Sequence, residues 1–258
     1  MNITLSKKIT YIFFLFLFSV NLSATGPEEY IKQGDSYYQN FDLINAINMY
    51  EEAYKLAPEN YTVLLKITRG YNDLAEYYYE KRDEINSEKT ILKALTLAEK
   101  FAGFYPDSAM VYSLLSMSYG NLALHKGGNE KVKLAYKIKE NAEKSLSLKP
   151  DNYLAYIILG IWHRQIASIN WFERAFANTF YGDIPEGSLE ESEKMLIKAL
   201  SIKPGVIIAM FHLSLTYREM DEEEKEIQIL EKILALPEKD FRDKYAKRKA
   251  KERLEDLL

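Results

Sequence analysis

Residues 27–60 read PEEYIKQGDSYYQNFDLINAINMYEEAYKLAPEN, and this stretch decides the fold. Gly34 and Ala46 are small residues that let two antiparallel helices approach closely, while the tyrosines around them fill the space toward a neighbouring unit. The stretch ends at Pro58, which cannot continue a helix. It therefore predicts one pair of antiparallel helices that packs against further pairs.

The same ending recurs along the chain, at Pro58, Pro106, Pro150 and Pro204, with a shorter version at Pro237. Each proline closes a segment whose apolar residues recur every three or four positions, which is the helical period. No segment has the alternation of a credible strand. Intervals of 48, 44 and 54 residues between the first four prolines predict that the later units are longer than the first.

The spacing within residues 27–60 resembles the tetratricopeptide repeat (TPR), a 34-residue unit of two helices. This resemblance implies an all-α fold over residues 25–258: a right-handed TPR-like α-solenoid of antiparallel helix pairs, with extended repeats and a capping C-terminal helix. Seven residues fall on the positions that the repeat prefers: Tyr30, Gly34, Tyr37, Ala46, Tyr50, Ala53 and Pro58.

Residues 138–162 read IKENAEKSLSLKPDNYLAYIILGIW, and WFER at 171–174 and FYGDIP at 180–185 follow. Together they resemble the regulator of microtubule dynamics family, whose TPR-like domain also occurs in bacterial exported proteins. The resemblance covers most of residues 27–258 and implies a helical-repeat domain with an aromatic insertion. It implies no microtubule role here, since the chain lacks the strongly basic surface that acidic tubulin tails require.

The insertion occupies residues 168–187 and lengthens the interval before Pro204. Its density of Trp and Phe predicts an added amphipathic turn of helix laid on the solenoid. Whether this turn fills the groove of the solenoid or leaves it open is undecided by the sequence.

The N-terminus has the pattern of a secretory signal. Lys7 and Lys8 precede a twelve-residue apolar run at 9–20, and the small residues Ser23 and Ala24 follow. We expect cleavage after Ala24 and an exported protein, periplasmic or secreted if the source is bacterial, with no stable membrane span after cleavage. An uncleaved N-terminal anchor is the alternative, although the run is shorter than the roughly 20 residues that span a bilayer.

Composition excludes several classes of function. The 258 residues carry a net charge of −4 and no Cys, which argues against nucleic acid as a partner and excludes disulfides and thiolate chemistry. The only histidines are His125, His163 and His212, and none has metal-ligand spacing. We expect no catalysis, no cofactor and no metal site. An enzyme would need two titratable groups converging beside His163.

In this repeat the first helix of each pair lines the concave side, so the repeat register predicts the residues of a groove. The principal hypothesis is a protein-interaction scaffold that binds a protein or peptide there. The alternative is a ligand-binding accessory protein of an envelope transport system, favoured by a closed apolar pocket under the insertion. The Lys/Asn clamp for C-terminal carboxylates is absent from the corresponding positions. The predicted partner-binding residues are Tyr38, Arg69, Asn72, Asp73, Asn121, Arg164, Gln165, Arg218 and Glu219, and the predicted apolar ligand or insertion contacts are Met110, Met117, Ile157, Ile161, Trp171 and Phe211.

Residues 239–258 contain eight Lys and Arg and a thin apolar stripe. They predict a polar helix that caps the last repeat, because the end of a solenoid needs a water-compatible face. A patch for a membrane surface or an acidic partner is the alternative.

Overall fold

The computed structural model describes residues 26–258, so the predicted signal sequence at 1–24 lies outside the described residues. These residues form twelve α-helices: α1 (Pro27–Gln39), α2 (Leu43–Leu56), α3 (Tyr61–Glu80), α4 (Glu84–Phe104), α5 (Ala109–Ala123), α6 (Gly128–Leu148), α7 (Tyr153–Ala167), α8 (Trp171–Phe180), α9 (Leu189–Ile202), α10 (Ile207–Glu219), α11 (Glu223–Ala235) and α12 (Phe241–Leu257). The predicted all-α, TPR-like solenoid is confirmed.

The helices associate in successive pairs: α1 with α2, α3 with α4, α5 with α6, α7 with α9, and α10 with α11. The second helix of every pair ends two residues before one of the five prolines identified in the sequence. The residue before a proline disfavours helical backbone, so each proline fixes the end of a repeat. The predicted alternation of helix, stop and helix is therefore confirmed.

The extra length of the later repeats has two sources. Helices α3, α4 and α6 each have 20 or 21 residues, against 13 and 14 in the first pair. Helix α8 is inserted between the two helices of the fourth pair, and its backbone packs against α6. It is a full ten-residue helix rather than a single turn.

Close packing within the pairs depends on glycine. A Cβ atom on Gly34 would lie 2.4 Å from Tyr50 Cε1 and 3.1 Å from the Ala46 carbonyl oxygen, which confirms the predicted close approach of α1 and α2. Gly160 has the same role in α7, where a Cβ would lie 2.6 Å from Leu196 Cγ of α9. These approaches hold the two helices of a pair at a fixed distance.

The first helices of successive pairs also contact one another: α1 touches α3, α3 touches α5, α5 touches α7, and α7 touches α10. This row places them on the concave side of the solenoid. None of the helices within residues 26–258 is both long enough and apolar enough to cross a membrane.

Helix α12 packs on α10 and α11, as expected of a helix that caps the last repeat. It also reaches across the concave side, which the sequence did not predict. Phe241, at its start, is buried in the core cluster that extends from α2 to α7, and Arg242 and Arg248 pair with Asp73 and Glu80 of α3. The last helix therefore bridges the two ends of the solenoid.

Candidate binding site on the concave face

The contact between α12 and the first repeats is centred on Asp73. A guanidinium nitrogen of Arg242 lies 3.2 Å from Asp73 Oδ1, and the Asp73 side chain is fully shielded from solvent. The Tyr38 hydroxyl donates a short hydrogen bond to Asp73 Oδ2. Burial and the negative charge of Asp73 raise the pKa of the Tyr38 hydroxyl, which keeps it protonated as the donor.

Two further ion pairs flank this centre. Arg69 of α3 lies 3.5 Å from Asp240, the N-cap residue of α12. Arg248, two turns further along α12, lies 2.6 Å from Glu80. These pairs are partly open to solvent and contribute less than the buried pair does.

A polar network joins α3 to α5 beneath these pairs. The Nδ2 atom of Asn121 lies 3.2 Å from both Asn72 Oδ1 and Glu76 Oε1, and Asn72 Nδ2 donates to Ser118 Oγ over 2.9 Å. Burial and the negative charge of Asp73 raise the pKa of Glu76, while the positive charge of Arg242 lowers it. The net result is a pKa of about 7. Glu76 therefore changes its protonation state near neutral pH.

Two of the predicted partner-binding residues are not accessible in this conformation. Asn72 and Asp73 are fully buried. The expectation that they face an open groove is wrong, because α5 covers Asn72 and Arg242 of α12 covers Asp73. What fills the concave side at this point is the C-terminal helix and not the Trp171 insertion.

A second cluster lies further along the concave side, on α7 and α10. Arg164 pairs with Glu219 over 2.6 Å, and Ser168 also donates to Glu219. Burial, together with the positive charges of Arg164 and Arg242, lowers the pKa of His212 to about 3. His212 is therefore a neutral ring beside two arginines.

The two clusters contain unpaired polar atoms. Arg164 Nε and His212 Nδ1 in the second cluster, and Arg242 Nε and Asp73 Oδ1 in the first, are buried and have no hydrogen-bonding partner among the described residues. Buried polar atoms are nearly always paired in folded proteins, so each exception calls for an explanation.

The remaining predicted polar residues lie apart from this cluster. Gln165 is exposed on α7. Arg218 lines a cavity of about 220 Å³ between α10, α11 and α12, together with Phe211 and Leu230. The cavity is smaller than the roughly 300–1,000 Å³ of typical ligand pockets.

The predicted apolar contacts divide into three groups. Ile157 and Phe211 belong to the core, and Met117 and Ile161 pack partly buried against it. Met110 is half-buried. Trp171 is 81% exposed, so its ring faces solvent and does not close over an apolar pocket, the feature that would favour the ligand alternative.

His125 Nε2 lies 3.0 Å from Ser87 Oγ, but that hydroxyl is buried and donates its hydrogen to the Ala75 carbonyl oxygen. The His163 ring packs edge-on against Trp162, burial lowers its pKa, and its Nδ1 atom is unpaired among the described residues. Within residues 26–258 no group of three or more His, Cys, Asp or Glu is arranged to hold a metal ion.

Sequence reasoning missed the contributions of α12 and of Glu76. Asp240, Arg242 and Arg248 come from the basic C-terminal segment, whose charge was noticed but assigned to solvent or a partner. One signal could have found the contact: Asp73, Glu76 and Glu80 form an acidic stripe on one side of α3, complementary in charge to that segment.

Comparison with known proteins places this fold and sequence in context. The family model described as regulator of microtubule dynamics protein 1-3 matches residues 30–258. Regulator of microtubule dynamics protein 3 of Xenopus laevis is 27% identical over 145 residues, which are 55% of this chain and 30% of that protein. Regulator of microtubule dynamics protein 1 of Mus musculus is 24% identical over 181 residues, which are 69% of this chain and 57% of that protein. The chain spans about a third of the length of the first of these relatives.

Among solved structures, a thermophilic TPR protein of Thermus thermophilus superposes with a TM-score of 0.65. The match covers 87% of this chain and 98% of that one, at 15% identity. This likeness shows the TPR fold and nothing beyond it.

Proposed function

The chain belongs to the regulator of microtubule dynamics protein 1-3 family, and from that premise we propose that it is an exported, non-enzymatic scaffold whose concave face binds a protein or peptide partner. The TPR-like fold supports protein binding in general. The concave location, the export and the absence of catalysis are parts of the proposal, and each has its own support.

The observation that carries the concave location is the set of unpaired nitrogen atoms on Arg164, His212 and Arg242. An arginine Nε–H group donates a strong hydrogen bond to a carboxylate. These atoms are buried in this conformation, so a partner would reach them by displacing the first turn of α12. An acidic side chain of that partner would satisfy the two arginine Nε–H groups and remove the cost of leaving them unpaired. The predicted partner is therefore an acidic segment rather than a basic one.

Helix α12 shows how a chain segment can occupy this face. Its first turn already lies on the concave side, with Asp240 against Arg69 and Arg242 against Asp73. A partner would displace this first turn and bind over the cluster of Arg164 and His212.

Export is supported by the N-terminal sequence alone. Lys7 and Lys8, the apolar run at 9–20 and the exit at Ala24 have the order of a secretory signal. On this proposal residues 25–258 act outside the cytoplasm, in the periplasm or beyond it if the source is bacterial.

The non-enzymatic role is supported by the setting of the histidines. His163 Nδ1 has no acid or nucleophile within hydrogen-bonding distance among the described residues, and His212 stays neutral beside two arginines. Neither ring has the partner that a general base needs.

The experiment is in-situ crosslinking of the protein in its native cell, followed by mass spectrometry. The test variant replaces Arg164, Gln165 and Arg218 with Ala. A matched control replaces Lys198, Gln228 and Lys232, which are exposed on the second helices α9 and α11. We expect one reproducible protein partner that is lost in the test variant and retained in the control. Equal loss in both variants, or no protein crosslink at all, would contradict the concave-face scaffold.

A further inference from the structure

Helix α8 is amphipathic with its apolar side turned outward. Its inward side is polar and is tied to backbone atoms of the protein. Arg174 donates to the carbonyl oxygens of Ile166, Ile184 and Pro185 over 3.0, 3.3 and 3.2 Å, and Asn178 Oδ1 accepts from the Ile184 amide over 2.8 Å. A helix of a water-soluble protein ordinarily buries its apolar side, and α8 does the reverse.

Four aromatic side chains of α8 are exposed. Trp171 is 81% exposed, Phe172 and Phe180 are each 65% exposed, and Phe176 is 47% exposed. The rings contact one another in two pairs, with centroids 5.9 Å apart for Trp171 and Phe172 and 4.7 Å apart for Phe176 and Phe180. No residue of α8 is buried. Exposing the apolar area of these rings to water is unfavourable. An exposed apolar patch of this kind marks a surface that binds an external apolar partner.

We propose that α8 docks the protein on a lipid bilayer by lying in the membrane interface with its aromatic side toward the acyl chains. Trp and Phe are the side chains that interfacial helices place at the boundary between headgroups and acyl chains. The hydrogen bonds of Arg174 and Asn178 hold the helix on the solenoid while its aromatic rings enter the membrane interface. This surface is separate from the concave face and from the basic C-terminal helix.

The exposed area argues for a bilayer over a second copy of the chain. Aromatic side chains bury about 150–250 Å² each, so the exposed parts of the five rings along α8, Tyr181 included, offer roughly 450–750 Å² per copy. Two such patches face to face would bury about 900–1,500 Å² in total, less than the roughly 1,600 Å² of a standard specific interface. A bilayer covers the patch without needing a complementary protein surface.

Local charges predict which bilayers are bound. Lys131 and Lys133 are exposed on α6, between its two contacts with the α8 segment at Gly128 and Tyr136. Glu130 and the acidic residues of the insertion offset them. With no excess of positive charge beside the rings, docking should depend little on anionic lipid or on salt.

Trp171 provides a local reporter, because the chain has only two tryptophans. Trp162 is 3% exposed and its Nε1 atom donates to the Ala135 carbonyl oxygen, so its emission should not respond to lipid. We would add phosphatidylcholine vesicles, with and without phosphatidylglycerol, to the full chain and to the chain from residue 25, which contains all twelve helices. We expect the emission to move to shorter wavelength with both lipids and with both chains. The Trp171→Phe variant should lose this change.

A matched pair of triple variants tests whether the aromatic side is responsible. One replaces Phe172, Phe176 and Phe180 with Ser, and the other replaces the exposed Ile44, Ile85 and Leu92 on other helices with Ser. For the chain from residue 25 we expect vesicle binding to fall about tenfold or more in the first variant and to stay unchanged in the second. Unchanged circular dichroism and melting temperature would show that both variants are folded.

Three results would overturn the proposal. The first is a Trp171 emission that does not change with vesicles. The second is a change that appears on concentrating the protein without vesicles, which would assign the surface to a second copy of the chain. The third is equal loss of binding in the two triple variants. A requirement for phosphatidylglycerol would overturn the predicted independence of lipid charge.

Discussion

Arg242 of the last helix lies 3.2 Å from Asp73 of the third helix, and Asp73 is wholly enclosed. A carboxylate without access to water is costly unless a cation and hydrogen-bond donors compensate its charge. Arg242 and the Tyr38 hydroxyl supply both. The position of α12 and the burial of Asp73 therefore depend on each other.

Replacing Arg242 with Leu should destabilise the protein by up to about 3–5 kcal/mol, because the buried Asp73 carboxylate then keeps only one contact with a cation, the longer one to Arg69 Nε at 3.7 Å. Urea unfolding gives this free energy. The double variant Asp73→Asn with Arg242→Leu removes both charges and should recover a large part of the loss. Arg248→Leu is the control, since its pair with Glu80 is partly exposed and should be worth less than about 1 kcal/mol. Equal losses for Arg242→Leu and Arg248→Leu would refute the central role of Asp73.

Glu76 should make stability fall as the pH rises from about 4.5 to about 7. Its pKa in the folded protein is about 7, above its usual 4.5, so the folded state holds a proton that the unfolded state has already released. Glu76→Gln removes this titration. The urea midpoint of the Glu76→Gln variant, relative to that of the wild type, should therefore be higher at pH 8 than at pH 5. The exposed Gln228→Asn substitution changes no titratable group and serves as the control.

His212 should act in the opposite direction. Its pKa is lowered from 6.5 to about 3, so the unfolded state binds a proton between these values and the folded state does not. The stability that the neutral ring contributes is lost as the pH falls from 6.5 toward 3. His212→Asn cannot take up that proton, and its melting temperature should decline less steeply than that of the wild type over this range. Parallel declines would show that His212 titrates normally.

Gly160→Ala should destabilise the fourth pair by about 1–3 kcal/mol, because the new methyl group would overlap Leu196 and force the helices apart. Gly120 is also helical, but a Cβ there meets nothing within 4 Å. Gly120→Ala should be neutral or stabilising by up to about 1 kcal/mol, since alanine favours the helix. Thermal unfolding of the two variants compares them directly, and a loss of stability in both would argue against a packing cause.

Arg174→Ala should loosen α8 without unfolding the solenoid, because Arg174 holds three carbonyl oxygens and no residue of the helix is buried. Limited proteolysis should cut within residues 168–187 faster in the variant than in the wild type. Thr179→Ala is the control, since Thr179 is exposed and bonds only within its own helix. Equal cleavage of the two variants would mean that Arg174 does not anchor α8.

The repeat architecture could be predicted because it is encoded locally. The five prolines fix helix ends through backbone sterics, and Gly34 fixes a close approach through its missing side chain. Neither effect needs knowledge of distant residues. The helical spacing of apolar residues then predicts the helix pairs themselves, and only the lengths of their helices could not be predicted.

The concave site could be predicted only in part, because it depends on contacts between distant residues. The repeat register selects Tyr38, Arg69 and Asp73, which contact one another in the structure. It could not show that Arg242 would enclose Asp73, since no local pattern specifies where the last helix returns. The sequence leaves the orientation of the insertion open for a related reason: Arg174 turns inward to bond carbonyl oxygens, so the aromatic side of α8 faces out.

The contact of Arg242 and Arg248 with α3 also changes how this solenoid should unfold. In an open array each repeat touches only its neighbours, so terminal repeats can fray one by one and truncation removes stability in increments. Here the last helix is tied to the second pair, and loosening either end breaks the same ion pairs. The molecule should melt in a single cooperative step, and deleting α12 should weaken α3 near the far end of the chain as well as its own neighbours.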